Sequence, residues 1–264
     1  MKVATIALYY FVQLDYLPEL RQKLKQKCLE WDFRGTILIA PEGINCFLFG
    51  RVDHLELFRD FIQVELKLPH QPTWKVNPCS HSPFNRMLVK IKKEIIPMGD
   101  PEIRPSEFTA PYLPPADLKT WMDEKRDFLL LDTRNDYEIA VGTFEGAKDL
   151  GISHFRDFTR ATEKLTTEGF NEVSKDQPIV TFCTGGIRCE KAAALLVKQG
   201  FKNVYQLEGG ILNYFEQCKD VHYQGQCFVF DWRLAVNGDL QPQSDQPQAR
   251  PDGTTGRHLS GDLF

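Results

Sequence analysis

Six prolines fall between Ile96 and Pro115, at positions 97, 101, 105, 111, 114 and 115, and no other stretch constrains the fold of this chain as much. Each lacks the N–H that a helix or a sheet ladder needs, and its ring obstructs the preceding helical turn. Residues 96–116 are therefore read as a linker, which leaves a domain at 1–95, a second at 117–219 and an extension at 220–264. The 264 residues, 42% of them hydrophobic, provide for two cores of ordinary domain size.

Ahead of the linker, residues 3–12 are β-branched and aromatic and read as a strand. Leu17, Leu20, Leu24 and Cys28 then recur at helical spacing, with Pro18 near the start, where a missing N–H does no harm. Residues 35–40 and 44–49 read as two strands of a hairpin joined through Pro41-Glu42-Gly43. Asp53 is placed to cap a helix reaching Val64, with Leu55, Phe58, Phe61 and Ile62 on its apolar side, and residues 87–95 supply a further strand. The order βαββαβ predicts a ferredoxin-like α+β domain over 1–95.

Beyond the linker a helix starts at Asp117, and the apolar runs at 128–131 and 178–182 read as buried strands. Such strands separated by helices predict an α/β domain with a parallel sheet flanked by helices. The hydrophobic pattern fades after Val236, and residues 237–264, rich in Gln, Pro, Asp and Gly, read as an extended or disordered tail.

The most informative residues are Cys183-Thr184-Gly185-Gly186-Ile187-Arg188-Cys189, where a strand hands over to a helix that stops at Gly200. Gly185 and Gly186 let the backbone curl so that successive N–H groups point inward, and the helix N-terminus adds partial positive charge. That pocket suits a thiolate, a persulfide or an oxygenated intermediate, so the Cys183 pKa is expected below the ~8.5 of a free cysteine. Arg188 is expected to close the loop with a permanent positive charge. The plainer alternative for Cys183, a small buried hydrophobe, fits poorly with a glycine-rich turn. Cys189 shares a helical face with Ala193 and Leu196, which suggests packing first and a resolving thiol second. Asp132 and Arg134 follow a strand at the carboxyl edge of the sheet, where ligand-facing loops gather; they read either as site residues or as a salt-bridged network under the loop. Gly209-Gly210 reads as a tight turn.

Seven cysteines, at 28, 46, 79, 183, 189, 218 and 227, form neither a C-x-x-C pair nor disulfide spacing, so free thiols in a reducing compartment are expected. No cysteine follows Cys227, and no metal site is expected. The first residues carry no basic leader, and no apolar run reaches bilayer length, which predicts a cytoplasmic protein without a membrane partner. A net charge of −4 gives no global pull on nucleic acid, so any RNA contact must be local. Arg86, Lys90, Lys92 and Lys93 are the densest basic run, and strand alternation puts Arg86, Lys90 and Lys92 on one face. That face is either a phosphate-binding surface or a solvated charged one.

Cysteine, four residues and then arginine, between strand and helix, resembles the active-site loop of rhodanese-fold enzymes, in which the cysteine carries a persulfide. Leu131-Asp-Thr-Arg-Asn-Asp-Tyr-Glu138 resembles that family's upstream signature and Leu207-Glu-Gly-Gly-Ile211 its downstream one. A narrower resemblance, to bacterial tRNA uridine hydroxylases, lies in Gly142-Thr-Phe-Glu-Gly-Ala147, the loop as written from Cys183 to Lys191, and Ile39-Ala-Pro-Glu-Gly-Ile-Asn45. It extends to Phe84-Asn-Arg-Met-Leu-Val-Lys90 and Gly225-Gln-Cys-Phe-Val-Phe-Asp231. The resemblance implies a rhodanese-like domain behind a small α/β domain, tRNA as partner, and formation of 5-hydroxyuridine at the wobble position with molecular oxygen as co-substrate. Cys183 would then act at a uridine held over the loop, Arg188 would stabilise negative charge, and an unstacked anticodon-loop base would be the target. No flavin motif or iron-binding triad is recognisable, so no bound cofactor is expected. Two other readings compete: a sulfurtransferase that passes sulfur from Cys183 to an acceptor, and a non-enzymatic sulfur-carrier or RNA-binding module, against which the intact loop argues.

Overall fold

The computed structural model describes residues 2–72, 74–79, 81–166, 173–229 and 233–242. The chain forms two compact units that divide between Pro97 and Met98. Among the described residues no helix is long and apolar enough to cross a membrane.

The first unit runs β1 (Val3–Phe11), α1 (Leu17–Glu30), β2 (Arg34–Ala40), β3 (Gly43–Arg51), α2 (Val52–Glu65), β4 (Trp74–Pro78) and β5 (Met87–Ile91). The sheet order is β4-β1-β3-β2-β5. Alternate residues Ala4, Ile6 and Leu8, Ile37 and Ile39, and Ile44, Cys46 and Leu48 face one side, where they meet Leu20, Leu24 and Cys28 of α1 and Leu55, Phe58 and Ile62 of α2. Burying each such aliphatic or aromatic side chain contributes about 1.5–3 kcal/mol, so this two-layer core fixes the strand register. The β2–β3 turn needs glycine at 43: φ is +148°, and a Cβ there would lie 2.1 Å from the Tyr10 carbonyl oxygen.

The first four strands and two helices form the expected βαββαβ sandwich, but its fourth strand is Trp74–Pro78 rather than the run at 87–95. Met87–Ile91 is a fifth strand, added parallel to β2 at the opposite edge. It stops at Ile91 because the chain turns: the Glu42 carboxylate takes the Ile95 N–H at 2.7 Å and the Asn45 amide donates to the Ile95 carbonyl at 3.4 Å. Asp53 is not the N-cap of α2. It lies inside the first turn, held by Arg51 at 3.1 and 2.5 Å, where its charge still complements the helix dipole.

The second unit contains β6 (Tyr112–Leu113), α3 (Pro115–Asp123), β7 (Leu129–Asp132), α4 (Asp136–Ile139), β8 (Gly142–Phe144), β9 (Lys148–Asp149) and α5 (Phe158–Ala161). It continues with β10 (Ile179–Phe182), α6 (Ile187–Lys198), β11 (Val204–Leu207), α7 (Gly210–Cys218), β12 (Tyr223–Gly225), β13 (Cys227–Phe228) and β14 (Ala235–Val236). Its main sheet is parallel throughout, in the order β6-β11-β10-β7-β9. All four residues of β10, at the centre, are buried, as a strand covered on both faces requires.

Two expectations at the edges of this unit are corrected. Tyr112 and Leu113, inside the proline-rich stretch, pair with Gln206 and Leu207; the prolines at 111 and 114 flank this edge strand without removing a bond from it. The segment after Asp220 belongs to the fold: Tyr223–Gly225 pairs with Gly142–Phe144, and Tyr223, Cys227, Val229 and Val236 are buried with Phe144, Phe182, Leu207 and Phe215. Of the tail at 237–264, residues 243–264 lie outside the described residues, as do Phe230 and Asp231 at the end of the Gly225 motif.

Candidate active site

The reactive loop is built by the sheet. β10 ends at Phe182, whose carbonyl accepts the Thr133 N–H and hydroxyl, both at 3.0 Å, so the ends of β7 and β10 are tied together. The chain then passes through Cys183-Thr184-Gly185-Gly186, and α6 begins at Ile187. Gly186 takes φ of +96°, a left-handed conformation that glycine adopts without strain, and its N–H reaches back to Cys183 Sγ at 3.1 Å. From the other side, Ile211 N–H donates to the Cys183 carbonyl at 3.0 Å and Leu212 N–H to that of Thr184 at 3.1 Å. The start of α7 can come this close because residue 210 is glycine: a Cβ there would sit 2.4 Å from the Cys183 carbonyl oxygen. With its carbonyls taken up by α7, the loop is left with amides to offer the sulfur. Gly209-Gly210 is thus a turn that clamps the loop.

Burial alone would push the Cys183 thiol up, since the residue has no exposed surface. The Cys189 thiol, the Arg188 charge and the Arg188 and Gly186 N–H groups outweigh that cost and hold it at about 6. Cys189 moves in the opposite sense: burial raises it well above the usual thiol range, and donation to Cys183 raises it further. The two sulfurs are thus pushed apart, Cys183 toward the thiolate and Cys189 toward the neutral thiol. Cys189 Sγ also lies 3.7 Å from the Thr133 hydroxyl. Thr184 is buried as well, and Gly185 and Ile187 are the partly exposed members of the loop.

Arg188 does not cap the loop with a bare charge. Its guanidinium is buried in a two-pronged pair with Glu138, at 2.5 and 2.8 Å. Its charge still acts on Cys183, but through a neutralised pair, because an unpaired buried guanidinium costs too much. Sequence reasoning missed Glu138. Its carboxylate also accepts from the Thr184 hydroxyl at 3.4 Å and from the Asn135 N–H at 3.1 Å. The Asn135-x-x-Glu138 capping box at the start of α4 was the available signal. The same Thr184 hydroxyl proton is shared with the Phe228 carbonyl at 3.3 Å, which brings the C-terminal strand to the loop, and Phe228 packs edge-on against Tyr137 at 5.5 Å.

Asp132 and Arg134 form a supporting network. Both are enclosed: Arg134 donates to Asp132 at 2.7–3.2 Å and to the Gly142 carbonyl at 2.7 Å, while Thr143 donates to Asp132 at 2.7 Å. Tyr223 reaches the same Gly142 carbonyl at 2.8 Å. The network ties β7 to β8 and β12. Among the described residues no three His, Cys, Asp or Glu side chains gather as a metal-ligand set.

Arg86, Lys90 and Lys92 belong to the first unit. Met87 and Val89 face its core, so alternation along β5 turns Lys90 to the other face of the sheet. Arg86 is exposed, and Lys90 and Lys92 are half-buried. Backbone bonds close the ladder at the two ends of the strand: Gly35 N–H donates to the Arg86 carbonyl at 3.0 Å and Lys92 N–H to the Ile39 carbonyl at 2.8 Å.

Two family models match the chain: a UPF0176 acylphosphatase like domain over residues 3–95 and a rhodanese-like domain over 114–217. A protein of Cupriavidus necator called tRNA uridine(34) hydroxylase is 45% identical over 249 residues, covering 92% of this chain and 86% of its own length. Proteins of the same name from Ralstonia nicotianae and Thiobacillus denitrificans are 43% and 44% identical over 247 residues each, again covering 92% of this chain, and 86% and 97% of their own lengths.

Proposed function

This chain belongs to the tRNA uridine(34) hydroxylase family, and on that premise we propose that Cys183 attacks the uracil ring of uridine 34 in tRNA and that molecular oxygen supplies the new hydroxyl. The observation that carries the reading is the place of Cys183, at the carboxyl edge of a parallel sheet where β10 hands over to α6, with the Gly186 N–H on its sulfur at 3.1 Å and Arg188 beside it, an arrangement that lowers the thiol below its ordinary range.

Uracil is electron-poor at C6. The Cys183 thiolate adds there, and the displaced electron pair moves to C5 and the O4 carbonyl as an enolate. That enolate, far richer in electrons than uracil itself, combines at C5 with oxygen to give a hydroperoxide. A two-electron reductant of thiol class then cleaves the O–O bond, leaving a hydroxyl on C5 and taking the outer oxygen away as water, and loss of the C5 proton and of the sulfur at C6 restores the C5–C6 double bond and frees the thiolate. The amides of Gly186 and Arg188 carry the negative charge on sulfur before attack and after release, as preorganised donors do for other anions. The Glu138–Arg188 pair fixes the start of α6 and so the position of those amides.

A ring attacked at C6 must leave its stack, so the substrate is the anticodon loop, where the base at position 34 is single-stranded. Tyr137 and Phe228, an aromatic pair beside Thr184 and Glu138, offer faces for that base. Arg86, Lys90 and Lys92 are assigned to phosphate contact, which positions the RNA without reading its sequence. The enzyme works in the cytoplasm, where tRNA is modified.

The test is genetic and chemical. In cells lacking the gene, tRNA nucleosides measured by mass spectrometry contain 5-hydroxyuridine when the wild-type protein is returned and none when Cys183→Ser is returned; restoration by that variant rejects the role. The match to a rhodanese-like domain keeps a second reading in view, that the same thiolate stores sulfur as a persulfide. Thiosulfate treatment would then leave one extra sulfur on Cys183, and turnover would continue without oxygen.

A further inference from the structure

We infer that Cys189 is a second catalytic residue: it reduces the oxygen intermediate and closes a disulfide with Cys183, so each hydroxylation consumes one dithiol. The inference rests on the hydroxylase reading above and starts from its electron count. Replacing a C–H by a C–OH takes two electrons from uridine, whereas reducing one oxygen molecule to a hydroxyl and a water takes four. Two electrons and two protons must come from elsewhere, and a pair of thiols going to a disulfide supplies that number of each.

The geometry places this pair at the reacting atom. Cys189 Sγ lies 3.7 Å from the Thr133 hydroxyl, which donates at 3.0 Å to the carbonyl of Phe182, the residue before Cys183, so the second thiol sits at the same strand-to-helix turn as the first. Cys189 follows Cys183 by six residues and is linked to it through Gly186: its N–H bonds to the Gly186 carbonyl at 3.0 Å, while the Gly186 N–H bonds to Cys183 Sγ at 3.1 Å. A buried cysteine serving only to pack would be expected among apolar side chains, as Cys46 is.

The steps balance. With Cys183 bonded to C6 and a hydroperoxide on C5, Cys189 sulfur attacks the outer oxygen. The O–O bond breaks, leaving a hydroxyl on C5 and a sulfenic acid on Cys189. Elimination of the C5 proton and the C6–S bond then releases 5-hydroxyuridine and the Cys183 thiolate. That thiolate attacks the Cys189 sulfenic acid, forms the S–S bond and expels water. The sum is uridine, oxygen and two thiols giving 5-hydroxyuridine, water and one disulfide. Return to the dithiol takes an external thiol reductant by exchange.

The experiment uses the full-length enzyme, reduced and then freed of reductant, with unmodified tRNA in air-saturated buffer and an N-ethylmaleimide quench. About one 5-hydroxyuridine per enzyme is expected, with an equal amount of Cys183–Cys189 disulfide in the peptide map, and dithiothreitol restarts turnover. Many products per enzyme without reductant, or one product with Cys189 still open to alkylation, overturns the dithiol role and leaves the hydroxylase reading standing. Absence of product from wild type even with oxygen and dithiothreitol removes both. Cys189→Ser keeps the packing volume, so it is expected to fold, and with dithiothreitol present its turnover falls at least ~100-fold. Wild-type turnover by that variant also overturns the inference. The disulfide count on wild type decides the matter even if the variant fails to fold.

Discussion

Each unit of this molecule hides two neighbouring cysteines, Cys28 and Cys46 in the first and Cys183 and Cys189 in the second, and all four lack exposed surface. In the first unit they lie between α1 and β3 in an apolar core. Burial is what chiefly acts on them there, pushing Cys28 up to about 12 and Cys46 well above the usual range. In the second unit the same burial is answered by amides, a neighbouring thiol and an arginine, and Cys183 settles at about 6. Depth therefore does not decide reactivity. The decisive difference is which backbone groups are left without partners beside the sulfur, and a strand-to-helix turn leaves N–H groups where a sheet interior leaves none.

That contrast can be broken at several points. The largest effect is expected from Cys183→Ser, which should lower hydroxylation of tRNA in a nucleoside assay by at least ~10³-fold. Next comes Glu138→Gln, which strands the Arg188 charge in the interior; urea denaturation should show a loss of about 3–5 kcal/mol. Gly210→Ala forces a methyl group against the Cys183 carbonyl, and a loss of about 1–3 kcal/mol is expected, with slower labelling of Cys183 as the clamp distorts. A smaller but sharper test is pH. Cys183 alkylation, followed by peptide mass spectrometry, should rise through about pH 6 and level off, whereas Cys28 should stay inert until far higher pH. The signs for stability also differ. Cys183 lies below the ~8.5 of an unfolded cysteine, so its contribution is complete above that pH and is lost as pH falls toward about 6. Cys28 lies above it, so its contribution is present at lower pH and is lost as pH climbs toward about 12. The smallest effect belongs to Cys46→Ala: about 1–2 kcal/mol of stability and wild-type turnover, and a collapse of activity there would erase the contrast.

Local chemistry was legible in the sequence where it dominates. The periodicity of α1 and α2, the apolar runs of β7 and β10 and the glycines of the loop each announce their structure within a few residues. Trp74–Pro78 was not legible, because an edge strand with two apolar positions and a proline at its end is specified by the neighbour it pairs with. Tyr112–Leu113 and Cys227–Phe228 are two residues each, too short for any alternation to show. The partner of Arg188 was hidden for another reason. Glu138 is fifty residues away, and only the parallel pairing of β7 with β10 brings α4 and α6 to the same edge.

Tyr223 closes over Phe144 at 5.1 Å and Phe215 at 4.9 Å, with its hydroxyl on the carbonyl that also receives Arg134. The stretch from residue 114 to 217 that matches the rhodanese-like model is therefore narrower than the piece that must fold together. A gene fragment cut at that boundary would lose the lid of its own core and the backbone oxygen that Thr184 holds. In this chain the cysteine loop is held in part by the segment that follows it, so the two form one folding piece.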